Sequence, residues 1–255
     1  MRYSQHSFKV DDYLLLFPIG DVHFGAKDCD VKLFEDHLKM IQKTPNSAVI
    51  LTGDLCNIGL HDSAGAGCFD DEYNPHEQYD RLIKYLSPLK DKIIAALVGN
   101  HEERIRNKTS FDITKLLCVE LKCDYLGYGG MLRLLVNTVP YHIYATHGSG
   151  GGRTIAGKMK RCWDMQFNAQ ADLYLHAHVH ALNHYPKNYF KIDNQRRCLV
   201  EETRHFVLTG SFLKWDGSYG EKKGFQSMQP GIPKIKLFGN LSRGKKKIEV
   251  RFSDK

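Results

Sequence analysis

Asp21-Val22-His23, Gly53-Asp54, Gly99-Asn100-His101-Glu102, His147 and His178-Val179-His180 form the set of side chains in this sequence that could share one chemistry. Each stands where a short apolar run gives way to a turn. Carboxylate and amide oxygens mixed with imidazole nitrogens suit divalent transition metals, not a calcium cage. Manganese fits this donor set first, with iron, zinc or nickel as alternatives. Asp54 follows a glycine turn, so both of its oxygens are free to point at one site, and it is expected to bridge two ions. Two ions about 3.5–4 Å apart clamp both oxygens of an in-line displacement at phosphorus and lower the pKa of a bridging water.

Regular elements must carry these groups. Residues 13–19, 47–51, 93–98, 141–146 and 171–175 read as buried strands ending at glycine, histidine or aspartate. In open α/β sheets the carboxyl ends of strands are where ligands bind. Helical spacing of Phe34, Leu38 and Ile41 predicts a helix over 31–43. Further helices are expected over 75–89, 112–121 and 154–167, and another strand over 131–136. The alternation predicts an α/β fold in which two mixed sheets form a sandwich flanked by helices. Residues 1–255 read as one domain, with 187–255 completing the second sheet as short strands without helices. The Gly-, Ala- and Asp-rich loop 59–71 is a candidate mobile rim.

Composition bounds the class. The 255 residues are 42% hydrophobic and 25% charged, ordinary for a globular protein, and no run approaches a membrane span. Residues 1–6 lack an apolar signal core, and the seven cysteines are odd in number with no C-x-x-C pair. Reduced thiols in the cytoplasm are the expectation. The net charge of +7 fits a polyanionic substrate or simple solubility, and part of it lies in the run 243–247.

The ordered series D-x-H, G-D, G-N-H-E, H and H-x-H, spread from Asp21 to His180, resembles the calcineurin-like metallophosphoesterase family. The resemblance implies a four-layer sandwich with metals at strand ends. It implies that Asp21, His23 and His180 hold one ion, that Asn100, His147 and His178 hold the other, and that Asp54 bridges them. His101 would be the general acid and a phosphate contact, with Glu102 keeping it protonated or oriented. The chain departs from the pattern at Ala177, where the family has Gly, and at Glu102, where it has Asp. The segment 210–224 looks like the closing segment of phage- and prophage-encoded members. Its aromatics and lysines could stack bases or pack as a sandwich edge with snorkelling lysines.

Each residue has a plainer explanation: turn capping for the aspartates, a satisfied buried or surface role for the histidines. The ordered set argues against it for the site residues and for it at His142, His184 and His205. His176 is expected to be a buried or supporting histidine, and Cys56 a small hydrophobe. Arg153, after the Gly-rich turn that follows His147, is a candidate phosphate contact together with Asn100, and Arg104 a weaker one. The expected function is hydrolysis of a phosphodiester or nucleotide-type substrate, a phosphorylated small molecule or a nucleic acid. DNA cleavage, phosphomonoester or phosphoprotein hydrolysis, and a non-catalytic scaffold are the alternatives.

Overall fold

The computed structural model describes residues 1–63, 67–195, 197–242 and 245–252. In chain order the strands are β1 (Arg2–Phe8), β2 (Tyr13–Ile19), β3 (Ser47–Leu51), β4 (Ile93–Ala96), β5 (Asp124–Tyr125), β6 (Gly129–Val136), β7 (Val139–Thr146), β8 (Leu173–His176), β9 (Leu182–Asp193), β10 (Cys198–Thr209), β11 (Pro233–Phe238) and β12 (Ile248–Phe252). The helices are α1 (Val31–Lys43), α2 (Pro75–Leu86), α3 (Asn100–Thr109), α4 (Ile113–Leu121), α5 (Ile155–Asp164) and the short α6 (Tyr219–Lys222).

Two six-stranded sheets form, in the orders β1-β6-β7-β8-β10-β9 and β12-β11-β2-β3-β4-β5. Strands β2, β3, β4 and β5 run parallel, and β11 closes on β2 antiparallel. The other sheet mixes both senses: β7 pairs with β8 and β8 with β10 in parallel, while β6–β7 and β9–β10 are antiparallel. Side chains alternate across each strand. Leu14, Leu16, Ile50, Leu134, Ile143, Leu175 and Val207 meet between the sheets. Phe17, Ile19, Val49 and Leu51 face the other way, toward Phe34, Leu82 and Leu117 of the helices. Tyr174 and Phe206 stack outside the first sheet, in the same cluster as Cys162 of α5. The result is helix, sheet, sheet, helix.

The helices begin where their caps dictate. Asp30 accepts the Leu33 amide ahead of α1, and Asn74 and Glu77 make a capping box around Pro75 ahead of α2. Helix α3 was not expected from the apolar pattern, because Glu102 is its one buried residue. Strand β1 was not expected either, since it is an edge strand with only Ser4 buried.

The C-terminal third corrects the expectation for 187–255. Its strands do not complete one sheet: β9 and β10 extend the first, β11 and β12 the second. Their local pattern marks them as strands and carries no information on which edge they join. The segment also contains a helix, α6. Residues 64–66 of the expected rim loop and 243–244 of the basic run lie outside the described residues.

Fully buried Gln78 on α2 fixes the chain that leaves β3. It accepts the Ile58 amide at 2.9 Å and donates to Asp71 Oδ2 and the Tyr73 carbonyl, both at 2.8 Å. Gln78→Leu strands a buried amide and a carbonyl, and the expected loss is about 3 kcal/mol of stability in urea unfolding.

Candidate metal centre

The sequence-predicted ligands meet at the carboxyl ends of β2, β3, β4, β7 and β8. Five of them have left-handed backbones: Asp21 (φ 48°), His23 (50°), Asp54 (50°), His178 (68°) and His180 (47°). Such a conformation costs a non-glycine residue about 1–2 kcal/mol and persists only where its surroundings over-determine it. Here they do. The amides of Val22 and His23 both donate to the Asp54 carbonyl, at 2.9 and 3.0 Å, and the Asp21 amide donates to Gly53 O at 3.0 Å. The His178 amide donates to Asp21 Oδ2, and the His101 amide to Asp54 Oδ1, each at 2.8 Å. Glycine is required at position 99, where a Cβ would stand 2.1 Å from the Asp54 nitrogen. Ala177 is not left-handed; the turn places its positive φ on His178, so the methyl group fits.

Apart from His101, the donor atoms fall into two groups, linked where His23 Nε2 comes within 3.8 Å of Asp54 Oδ2. Asp21, His23 and His180 form one, with His180 Nε2 at 3.4 Å from Asp21 Oδ1 and 3.1 Å from His23 Nε2. Asp54, His147 and His178 form the other, with His147 Nε2 at 3.3 Å from Asp54 Oδ2. Asn100 Oδ1 joins this second group at 2.7 Å from His178 Nδ1 and 3.0 Å from His147 Nε2.

These residues fit divalent ions. Asp21 Oδ1 is buried and has no hydrogen-bond partner. The spacings suit ligands held about 2.0–2.2 Å from a common cation. The imidazoles are also aimed. His147 Nδ1 lies 2.8 Å from the Thr52 carbonyl and His23 Nδ1 lies 3.2 Å from Asn57 Oδ1. A proton on each Nδ1 satisfies that oxygen and leaves Nε2 bare toward the centre. Burial lowers the pKa of His147, but Asp54 beside it outweighs burial and pushes the pKa up to about 10. Burial, then His101, holds His23 well below the usual histidine range. Cation binding to the first of these releases a proton.

His101 reaches the same carboxylate and forms with His23 and Asp54 a third group of possible metal donors. Its Nδ1 lies 2.5 Å from the Asn57 carbonyl, and its Nε2 lies 3.9 Å from Asp54 Oδ2. Arg104 Nη2 is 2.9 Å from that Nε2, while Nη1 donates to the carbonyls of Asn57 at 3.0 Å and Ile58 at 3.1 Å.

Glu102 does not do what was expected of it. Its carboxylate accepts the amides of Asp54 (2.9 Å), Leu55 (2.7 Å), Cys56 (3.0 Å) and Gly99 (3.1 Å), and no described contact links it to the His101 ring. Burial, then the Asp54 charge, pushes it up to about 7. Four donors on two oxygens leave little room for a proton, so the arrangement fits the ionised form.

Arg153 is exposed ahead of α5, and no hydrogen bond or ion pair among the described residues ties it to the centre. His176 is buried with Nδ1 at 2.7 Å from the Ala177 carbonyl. Cys56 is buried, and desolvation pushes its thiol well above the usual range. His142 lies on Asp172, and His184 stacks on His205, all outside the centre. Sequence reasoning missed Asn57, whose side chain holds His23 and whose carbonyl holds His101. Its position three residues after Asp54 was the available signal.

A model of the family described as calcineurin-like phosphoesterase matches residues 18–182, which span every one of these ligands. The chain belongs to the calcineurin-like phosphoesterase family. No curated protein matches it. Among solved structures it is similar to Vps29 from Entamoeba histolytica, at 16% identity over 94% of this chain and 100% of that one, with a TM-score of 0.43. It is likewise similar to Vacuolar Protein Sorting 29 from Cryptosporidium parvum, at 15% identity over 96% and 100%, with a TM-score of 0.41. Likeness at this level transfers neither an activity nor a partner.

Asn57→Ala frees the His23 ring to turn. The expected result is manganese affinity lowered about 10–100-fold in a calorimetric titration, with the melting temperature of the metal-free protein nearly unchanged.

Proposed function

We propose that this protein is a dinuclear-metal phosphoesterase that hydrolyses phosphodiester or nucleotide-type substrates. One observation carries the reading: Asp54 Oδ2 is shared, at 3.8 Å from His23 Nε2, 3.3 Å from His147 Nε2 and 3.9 Å from His101 Nε2. A single oxygen thus lies within 4 Å of a nitrogen from each ligand group and of His101. Asp21, His23 and His180 would hold one ion, Asn100, His147 and His178 the other, and Asp54 both, with manganese the first choice of metal. Such ions supply Lewis-acid polarisation of a phosphoryl oxygen and a water acidic enough to attack near neutral pH.

The remaining steps belong to the chain's own residues. His101 stands with Nε2 toward the shared carboxylate and gives its proton to the leaving oxygen. In the structure Arg104 occupies that Nε2. A guanidinium has no acceptor, so once His101 carries a proton there, Arg104 turns its N–H to the phosphoryl oxygens. Two backbone carbonyls hold its other nitrogen meanwhile. This gives Arg104 the phosphate-binding duty first considered for Arg153.

The segment after β10 supports an anionic, base-bearing substrate. Its Phe212 amide donates to the Asp21 carbonyl at 3.0 Å, its Lys214 amide to Asp28 O at 2.8 Å, and Trp215 and Phe225 are exposed. Exposed aromatics beside lysines suit stacked bases. That arrangement favours a nucleotide over a phosphoprotein.

Manganese-loaded protein is expected to hydrolyse a generic aryl phosphodiester. His101→Asn should lower kcat about 10²–10⁴-fold while manganese content stays the same. Unchanged turnover in that variant defeats the role given to His101. Arg104→Lys should raise KM about tenfold with a smaller change in kcat, because an ammonium cannot reproduce the two-nitrogen fork.

A further inference from the structure

The β9–β10 hairpin outruns the sheet that supports it. The two strands pair from Leu182↔Thr209 to Asp193↔Cys198, but β8 pairs with β10 only over His205–Leu208. Residues 187–193 and 198–204 therefore project as a two-stranded ribbon roughly 20 Å long. Such a ribbon is marginal in water unless something covers it. One face rests on the helical layer, where Lys187 lies over the Trp163 ring and Tyr189 bonds Gln166. The other face continues the row of Val207, which lies in the core between the sheets, and Lys245 of the β11–β12 connection reaches it at Glu201. This face carries Phe190, Ile192 and Leu199, 67%, 72% and 67% exposed.

The edge polarity of β9 follows from the ladder. The His205 amide donates to the Asp172 carbonyl at 2.9 Å, so His205 points its backbone groups toward β8. Its partner on β9 is Pro186. Pro186 and its alternates Asn188, Phe190 and Ile192 therefore aim their backbone groups at the open edge. Among the described residues no backbone hydrogen bond from outside the hairpin reaches them. Proline at the first of these positions is where a strand edge tolerates a missing donor.

We infer that β9 pairs antiparallel with β9 of a second copy, about a twofold axis at Phe190, joining the two first sheets into one. That register is self-complementary. Each outward group of Asn188 meets Ile192 of the other copy, and Phe190 meets its own image. Lys187 comes opposite Asp193, so charges of opposite sign face one another on both sides of the axis. Pro186 ends the ladder. A symmetric pairing of this kind uses one patch twice, as isologous dimers do. The exposed ribbon face of each copy gains an apolar neighbour. This inference does not depend on the hydrolytic reading.

The test uses the full chain. Sedimentation equilibrium is expected to show a dimer that dissociates on dilution. Phe190→Pro removes one outward amide and leaves the bonds to β10 intact, because Phe190 does not donate to β10. It should weaken association at least about tenfold while diester hydrolysis or, failing that, the melting temperature stays near wild type. Independently, Phe190→Cys with Cys198→Ser should form a disulfide-linked dimer on mild oxidation, since the Cα atoms of such a pair lie about 5.5 Å apart. A monomer at all concentrations, a Phe190→Pro dimer as strong as wild type, or a Phe190→Cys chain that does not cross-link would each overturn the pairing.

Discussion

Glu102 binds the ends of two strands to one another. From the first turn of α3 it accepts three successive amides of the loop after β3 and the Gly99 amide after β4. Gly99 lies so close to Asp54 that even a methyl group would collide. Asp54 cannot relax out of its left-handed backbone while this contact stands. Its carbonyl in turn holds the amides of Val22 and His23, and its Oδ1 holds His101. The strain at the ligands is thus stored in a small set of hydrogen bonds around one carboxylate. A buried glutamate satisfied entirely by backbone donors is stabilising as a positioning device, and its removal would leave four orphaned amides.

This contact also shows what was legible beforehand. The candidate ligands named from the ordered motifs lie close together in the structure, because each follows an apolar run and the strand end is a position that a run and a turn define together. The chemistry of Glu102 was not legible. An acid beside a histidine reads as an electrostatic partner, and only the path of the chain reveals that its oxygens turn toward amides 46 to 48 residues away. Arg104 and Asn57 were obscure for the same reason. Asn57 meets His101 through its backbone carbonyl, and Arg104 is anchored on the carbonyls of Asn57 and Ile58; such contacts leave no trace in side-chain type.

The fold divides along similar lines. Helix α1 matched its expected bounds because its cap and its apolar stripe agree. Helix α3 has a cap and no stripe: Glu102 and Arg104 turn to the loop after β3, and its one apolar residue, Ile105, packs against the core. The sandwich itself followed from alternating elements. The allocation of β9–β10 to one sheet and β11–β12 to the other rests on long-range pairing that a single sequence does not encode locally. That same allocation leaves the β9 edge open and its apolar row uncovered, so a topological choice made far from the site creates the surface on which a second copy is inferred to sit.

Fold and centre are therefore one construction: parallel strands deliver the ligands, and a glutamate clamp holds them in a backbone they would not otherwise adopt. The account requires two cations sharing the Asp54 carboxylate. Electron paramagnetic resonance during manganese titration of the metal-free protein tests this most directly. The account predicts uptake that saturates at two ions per chain with a spin-coupled signal. An uncoupled signal at saturation, or the absence of uptake, would contradict it.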